Sequence, residues 1–155
     1  MFDSVFWIQL VTSFLGTAGF AILFRIRLRH LPAAILGGGL TYAIYFVVAQ
    51  LSASVFAAAF VASACSALYS EILARVKRAP AVVFLLPCAI PIVPGGSLYR
   101  AMVQLISQNF AGAWQYLLET LKVGIGIAGG MVAVSLMVQL FVAVLTQRKK
   151  RHAGE

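Results

Sequence analysis

Charged residues are scarce in this sequence. Of its 155 residues only 10% are charged and only four are acidic, whereas 62% are hydrophobic and the mean hydropathy is +0.97. Soluble domains carry about 25% charged residues, so this composition excludes an ordinary soluble fold. Because a membrane-spanning helix needs ~20 mainly apolar residues, the chain has room for about five spans and for no soluble domain beside them.

Cysteine and histidine are also rare. Cys65 and Cys88 lie in separate apolar stretches without CxxC spacing, and His30 and His152 lie in basic clusters. This pattern predicts no disulfide framework, metal site or cofactor. The sequence contains no HExxH motif, GxSxG motif or paired carboxylates, so it does not predict an enzyme.

The basic residues are concentrated between the apolar runs. The net charge is +8, and ten of the twelve basic residues fall in three clusters: Arg25, Arg27 and Arg29; Arg75, Lys77 and Arg78; and the four residues 148–151. Such clusters are typical of membrane topology and not of a nucleic-acid partner.

The apolar runs predict an all-α fold, a polytopic membrane helical bundle forming one domain over 1–147. The five predicted spans are about 5–24, 31–51, 54–74, 81–106 and 117–146, followed by a basic cytoplasmic tail at 148–155. If all five cross, with the N-terminus outside and the C-terminus cytoplasmic, all ten clustered charges are cytoplasmic. If only four spans cross, only four of the ten charges are cytoplasmic. The positive-inside rule therefore favours five membrane crossings.

The fourth run contains the stretch PCAIPIVPGGSLYRAM, whose prolines disfavour a continuous helix. Pro87, Pro91 and Pro94 are expected to leave the carbonyls of Val83, Pro87 and Ile90 without their usual helical donors. Unpaired backbone groups cost several kcal/mol each in hydrocarbon. The break, placed at Pro94-Gly95-Gly96, is therefore predicted to face the interior of the bundle.

A helix that restarts after the break would direct free N–H groups at a carboxylate. Gly95 and Gly96 are predicted to adopt backbone angles closed to other residues, and Ser97 to cap the new helix. Arg100, one turn later, either binds the same anion or extends to the outer interface. A kinked helix that only packs is the alternative to a binding site.

Two glutamates allow competing interpretations. Glu71 is a candidate proton carrier, or it forms an ordinary i,i+4 pair with Arg75. Glu119 and Lys122, at i,i+3 spacing in the last span, are expected to neutralise each other.

Small residues at helical spacing predict close helix packing. The third span carries two such rows, which place it inside the bundle: Ser54, Ala58, Ala62, Ser66 and Ser70; and Ala59, Ser63 and Ala67, followed by Glu71. Gly126 and Gly130 form a GxxxG motif, and 37–39 are all glycine; both are interpreted as packing surfaces more readily than as a pathway.

A family resemblance is most specific at the break and its flanks, and it extends over nearly the whole chain in helix count and spacing. The residues that carry it are Ser70 to Arg75, Ala79-Pro80-Ala81, Phe84 to Pro87, Ile90 to Gly96 and Leu98 to Met102. In these residues the chain resembles the threonine/serine exporter family, specifically its small five-helix proteins that match the C-terminal half of the long exporters. Pro91, Pro94, Gly95, Tyr99 and Glu71 match the pattern of that family.

The resemblance implies a multi-pass exporter subunit of the cell inner membrane. Its substrates would be small amino or carboxylic acids such as threonine, serine or succinate. Its partner would be a larger subunit of about five spans, matching the N-terminal half of the family. The predicted substrate-binding residues are Pro91, Pro94, Gly95, Gly96, Ser97, Tyr99 and Arg100, with Glu71 for proton coupling. A non-transporting scaffold and a homo-oligomeric pore are the alternatives.

Overall fold

The structure is a computed structural model that describes the backbone of residues 4–152 and the side chains of residues 6–144. It contains six α-helices and one short 3₁₀ turn: α1 Ser4–Leu23, α2 Leu31–Ser52, α3 Val55–Lys77, α4 Val82–Ala89, the 3₁₀ turn Ile90–Ile92, α5 Gly95–Ile106 and α6 Phe110–His152. The described residues include no strand, which confirms the predicted all-α bundle. The side chains of the predicted tail at 148–155 lie outside the described residues.

Four helices, α1, α2, α3 and α6, are long and apolar enough to cross a membrane. The pair formed by α4 with its 3₁₀ turn and α5 is bent by 47°, and it brings the number to five if it counts as one span. The first three helices differ from the predicted spans by at most three residues at either end. The helix of the fifth predicted span, α6, begins at Phe110, before the predicted 117, because the polar residues of its first turns do not interrupt a helix.

The last helix is longer than a membrane requires. It has 43 residues, which at 1.5 Å per residue is roughly 65 Å. The hydrocarbon layer is only about 30 Å thick, so α6 extends beyond it.

The third helix is the innermost one, as predicted. It packs against α2 on one side and along α6 on another, and it also contacts α4. Its buried residues are all small: Ala58, Ala59, Ala62, Ser63, Ser66, Ala67 and Ser70. Large apolar side chains are instead exposed on the outside of the bundle, as Leu15 and Leu140 are at 67% each. In lipid such a surface is already solvated, so close packing depends on small residues.

The glycines of α2 and α6 lie where helices touch. A Cβ atom on Gly37 would collide with Tyr69 of α3, and one on Gly38 would collide with Thr17 of α1. A Cβ atom on Gly126 would come within 2.9 Å of the Phe56 carbonyl oxygen. The packing interpretation of both glycine groups is therefore confirmed.

Candidate functional site

The helix of the fourth predicted span is interrupted in two steps, and the first is a change from an α-helix to a narrower 3₁₀ turn. After Ala89 the α-helix gives way to the 3₁₀ turn, in which the Ile90 N–H donates to the Pro87 carbonyl. The Val93 N–H donates to the Ile90 carbonyl at 3.2 Å. These two carbonyls do lack their usual i→i+4 donors, as predicted, but they are not left unpaired, because i→i+3 bonds replace the bonds that the prolines remove.

The second step is a sharp turn at Pro94. Val93 is extended, Pro94 has φ −78° and ψ 52°, and the Gly95 N–H donates to the Val93 carbonyl at 2.8 Å. These values describe an inverse γ-turn centred on the proline. The turn changes the chain direction immediately before α5 begins, so the predicted interruption is present at Val93 and Pro94. The prediction that the break faces the interior of the bundle is wrong for this chain by itself: Val93, Gly95 and Gly96 are exposed, because the helices of this chain do not enclose the turn.

Gly95, Gly96 and Ser97 differ from their predicted roles in the backbone. Both glycines lie in the first turn of α5, and no described glycine has a positive φ. Ser97 is the third residue of this helix and not its cap, since Pro94 occupies the cap position without a side-chain bond. These expectations were wrong because the turn at Pro94 completes the change of direction before the glycines are reached.

Ser97 connects the start of α5 to α6. Its Oγ donates to the Pro94 carbonyl at 3.1 Å and accepts from Thr120 Oγ1 at 3.0 Å. Thr120 Oγ1 also lies 2.8 Å from the Tyr116 carbonyl oxygen. In the first turn, the N–H groups of Gly96 and Ser97 have no hydrogen-bond partner among the described residues, whereas the Leu98 N–H donates to Pro94. Two backbone donors are therefore available to a bound anion.

A cavity of about 360 Å³, which we call the break pocket, opens beside these donors. It is lined by Gln9, Tyr45, Pro91, Ile92, Val93, Pro94, Gly96, Ser97, Arg100, Glu119 and Val123. Five of the predicted site residues therefore line one cavity: Pro91, Pro94, Gly96, Ser97 and Arg100. Gly95 and Tyr99 do not line it, and Tyr99 is 69% exposed.

The break pocket contains side chains of opposite charge. Arg100 on α5 and Glu119 on α6 both line it, yet they do not form an ion pair with each other. The expected pair of Glu119 with Lys122 is also wrong: the one ion pair among the described side chains joins Glu71 and Arg75. Glu119 points into the cavity region instead, because its position on α6 faces α5 and the break. The i,i+3 spacing to Lys122 suggested a local ion pair, so sequence reasoning did not place Glu119 in the site. An acidic residue in an apolar helix could have indicated a functional position.

A smaller cavity of about 270 Å³, the α1 furrow, adjoins the break pocket. It shares Gln9 and Pro91 with the break pocket, and its other lining residues are Thr12, Ser13, Gly16, Thr17, Tyr42 and Ile90. The Tyr42 hydroxyl donates to Gln9 Oε1 at 2.5 Å. Sequence reasoning missed this furrow, although Gln9, Thr12, Ser13 and Thr17 recur on one face of the first helix.

Glu71 lies apart from both cavities. Its carboxylate is 2.9 Å from Arg75 Nη1, and Arg75 also donates to the Glu71 carbonyl at 2.8 Å. Its proposed role in proton coupling remains a prediction. Within the described part of the chain, no group of three or more His, Cys, Asp or Glu side chains is arranged to hold a metal ion.

Comparison with known proteins gives one match. A protein-family model described as "Threonine/Serine exporter, ThrE" matches residues 9–137, a range that includes every residue lining the break pocket. Searches of curated proteins and of solved structures returned no match.

Proposed function

Because the chain belongs to the threonine/serine exporter family, we propose that it is an integral-membrane subunit of a two-component secondary exporter that binds its substrate in the break pocket. Family members are transporters, which points to transport and not to catalysis. The apolar helices and the family together indicate a multi-pass membrane protein. The inner membrane, the external N-terminus and the cytoplasmic C-terminus belong to this proposal.

The observation that carries the proposal is the set of polar groups in the break pocket. The free N–H groups of Gly96 and Ser97 and the guanidinium of Arg100 suit a carboxylate. Glu119, which has no basic partner among the described residues, suits an ammonium group. A site with both features complements a zwitterionic amino acid.

The charged groups of the break pocket favour an amino acid over a dicarboxylate as the substrate. The second carboxylate of succinate would be brought toward Glu119, where like charges repel. Threonine or serine places an ammonium there. A small hydroxyl side chain would also find donors and acceptors in Tyr45 and Gln9. We therefore propose a threonine- or serine-type substrate ahead of a dicarboxylate.

The arrangement of helices supports the need for a second subunit. The first helix packs on α2, α4 and the 3₁₀ turn and makes no extensive contact with α5 or α6. The break pocket, lined by Gln9 from α1 and Glu119 from α6, is therefore open between these helices. A partner subunit of about five spans would close it. A second copy of this chain is the alternative, and it would make a homo-oligomeric pore.

Counterflow in proteoliposomes tests the proposal. We expect the purified chain alone to exchange little labelled threonine, and the chain co-purified with its larger partner to exchange threonine faster than succinate. Full activity of the chain alone would identify a homo-oligomer. No activity of either preparation, in the presence of a stable complex, would favour the non-transporting scaffold.

A further inference from the structure

A second charged cavity lies at the basic end of the bundle. This basic pocket, of about 340 Å³, is formed by the turn after α1 and the turn after α3. Four arginines and one histidine line it together with apolar residues: Phe24, Arg25, Ile26, Arg27, Arg29, His30, Arg78, Ala79, Pro80 and Val83. It shares no lining residue with the break pocket or the α1 furrow.

Among the side chains that the structure describes, no acidic one lines the basic pocket. Glu71, the acidic residue nearest in sequence to Arg78, is bonded to Arg75, which is outside the pocket. The four guanidinium groups are therefore uncompensated by the described part of the chain, and they repel one another. An anion in the pocket would relieve that repulsion.

His30 adds an independent observation. It is only 4% exposed, its Nε2 accepts from Arg29 Nε at 3.0 Å, and its Nδ1 has no hydrogen-bond partner among the described residues. Burial lowers the pKa of His30, and the neighbouring Arg29, Lys77 and Arg27 lower it further. The neutral ring with an occupied Nε2 carries its proton on Nδ1, so it is a buried donor that lacks an acceptor.

The positive-inside rule does not by itself account for this arrangement. The rule requires basic residues near the ends of spans, but it does not require two turns some fifty positions apart to converge on one cavity. Arg25 and Arg78 both adopt left-handed backbone angles, with φ of 53° and 48°. These angles occur where each helix ends and the chain folds back toward the other turn.

The position of the pocket indicates the source of an anion. It lies where α1 and α3 end and where α2 and α4 begin, which is the level of lipid headgroups for helices that span the hydrocarbon. Phe24, Ile26 and Val83 give it an apolar side. Arginine matches phosphate with bidentate hydrogen bonds, and basic pockets between membrane helices suit phospholipid headgroups.

We propose that the basic pocket binds a phosphate-bearing anion, and that this anion is the headgroup of an anionic phospholipid. This site goes beyond the proposed function, since it requires neither transport nor the break pocket. The bound phosphate accepts hydrogen bonds from arginines of both turns and links the ends of α1 and α3.

Two neighbouring residues provide a matched test. Arg78 lines the pocket and Lys77 does not, although Arg78→Gln and Lys77→Gln remove the same charge at adjacent positions. The full chain, purified in a neutral detergent, is titrated with dioctanoyl phosphatidylglycerol by calorimetry. We expect Arg78→Gln to weaken Kd about tenfold, as for a lost charged hydrogen bond, and Lys77→Gln, whose charge acts on His30 from outside the pocket, to weaken it several-fold less. Arg27→Gln, from the other turn, should resemble Arg78→Gln.

Three outcomes would overturn the proposal. Equal effects of Arg78→Gln and Lys77→Gln would show diffuse attraction to a basic surface. Equal binding of dioctanoyl phosphatidylcholine would show that the headgroup charge is not recognised. Inorganic phosphate that binds as tightly as phosphatidylglycerol would identify a soluble phosphate in place of a lipid. The unfolding temperatures of the variants in detergent alone separate each result from misfolding.

Discussion

The contact between α3 and α6 and the break between α4 and α5 both contain paired glycines, but the glycines do different things. In the contact, a Cβ atom on Gly130 would collide with Ser63 and with the backbone of Phe60. In the break, Cβ atoms on Gly95 and Gly96 would meet nothing within 4 Å. The first pair allows two helices to approach, whereas the second pair leaves open space at the start of a helix.

This difference separates residues that hold the bundle together from residues that line the proposed substrate site. The contact between α3 and α6 has no room for an added atom, so a larger residue in place of a glycine there should lower the stability of the bundle. The break pocket is already open, so a substitution there changes what the cavity can bind. Stability and transport should therefore respond to different glycines.

The largest effect on stability is expected for Gly130→Ala. The new methyl group would meet the Phe60 carbonyl oxygen and come within 3.0 Å of the Ala64 nitrogen, and neither backbone atom can move alone. Overpacking of this kind costs about 1–3 kcal/mol. The measurement is the unfolding temperature in detergent. Gly124→Ala on the same helix, which has open space, is the control and should not lower it. Equal losses would contradict the comparison.

The largest effect on transport is expected for Glu119→Gln. The substrate ammonium would lose its charged partner in the break pocket, which should reduce threonine exchange about tenfold or more without lowering the unfolding temperature. Glu71→Gln is the matched variant. It removes an ion pair whose arginine is 52% exposed, and such pairs contribute at most about 1 kcal/mol.

The same two variants decide the role of Glu71. If Glu71 carries the coupled proton, Glu71→Gln should abolish proton-dependent exchange while binding of threonine persists. Loss of exchange in Glu71→Gln together with normal exchange in Glu119→Gln would show that the break pocket does not hold the ammonium group.

A smaller effect is expected for Gly96→Ala compared with Gly95→Ala. Both residues lie in the first turn of α5, but only Gly96 lines the break pocket. The methyl group of Gly96→Ala would occupy space beside the free N–H groups and should raise KM for threonine several-fold. Gly95→Ala should transport normally. A reversed order would place the substrate on the other side of α5.

The smallest effect is expected for the bond between Ser97 and Thr120. A double-mutant cycle with Ser97→Ala and Thr120→Val, followed by unfolding in detergent, should give a coupling of about 0.6 kcal/mol, the usual scale for hydrogen bonds between membrane helices. Additive losses would indicate that the start of α5 is not fixed to α6 by this bond.

Much of the architecture could be predicted from the sequence. Apolar runs of span length predicted the helices, and the small-residue rows of α3 predicted its central position. Both are local sequence patterns, so they do not depend on how the helices are arranged around one another. The prolines predicted the interruption for the same reason. The exact position of the turn could not be predicted. The sequence allows the chain to turn either at Pro94 or at the two glycines, and the backbone angles of the folded chain decide between them.

The composition of the site depended on contacts between distant segments. Glu119 and Gln9 are separated from the break by many residues, and their place in the cavity follows from how α6 and α1 pack around the bent helix. The i,i+3 spacing of Glu119 and Lys122 suggested a local pair, but helix rotation directs Glu119 toward the break and leaves Lys122 exposed.

The sequence by itself determined a helical membrane protein with an interrupted span, because the cost of burying polar groups in hydrocarbon acts on every residue through its own chemistry. Only the tertiary structure decided which polar groups share a cavity. Arg100 and Glu119 lie in one pocket, and Arg25 and Arg78 in another, because helices separated along the chain pack side by side.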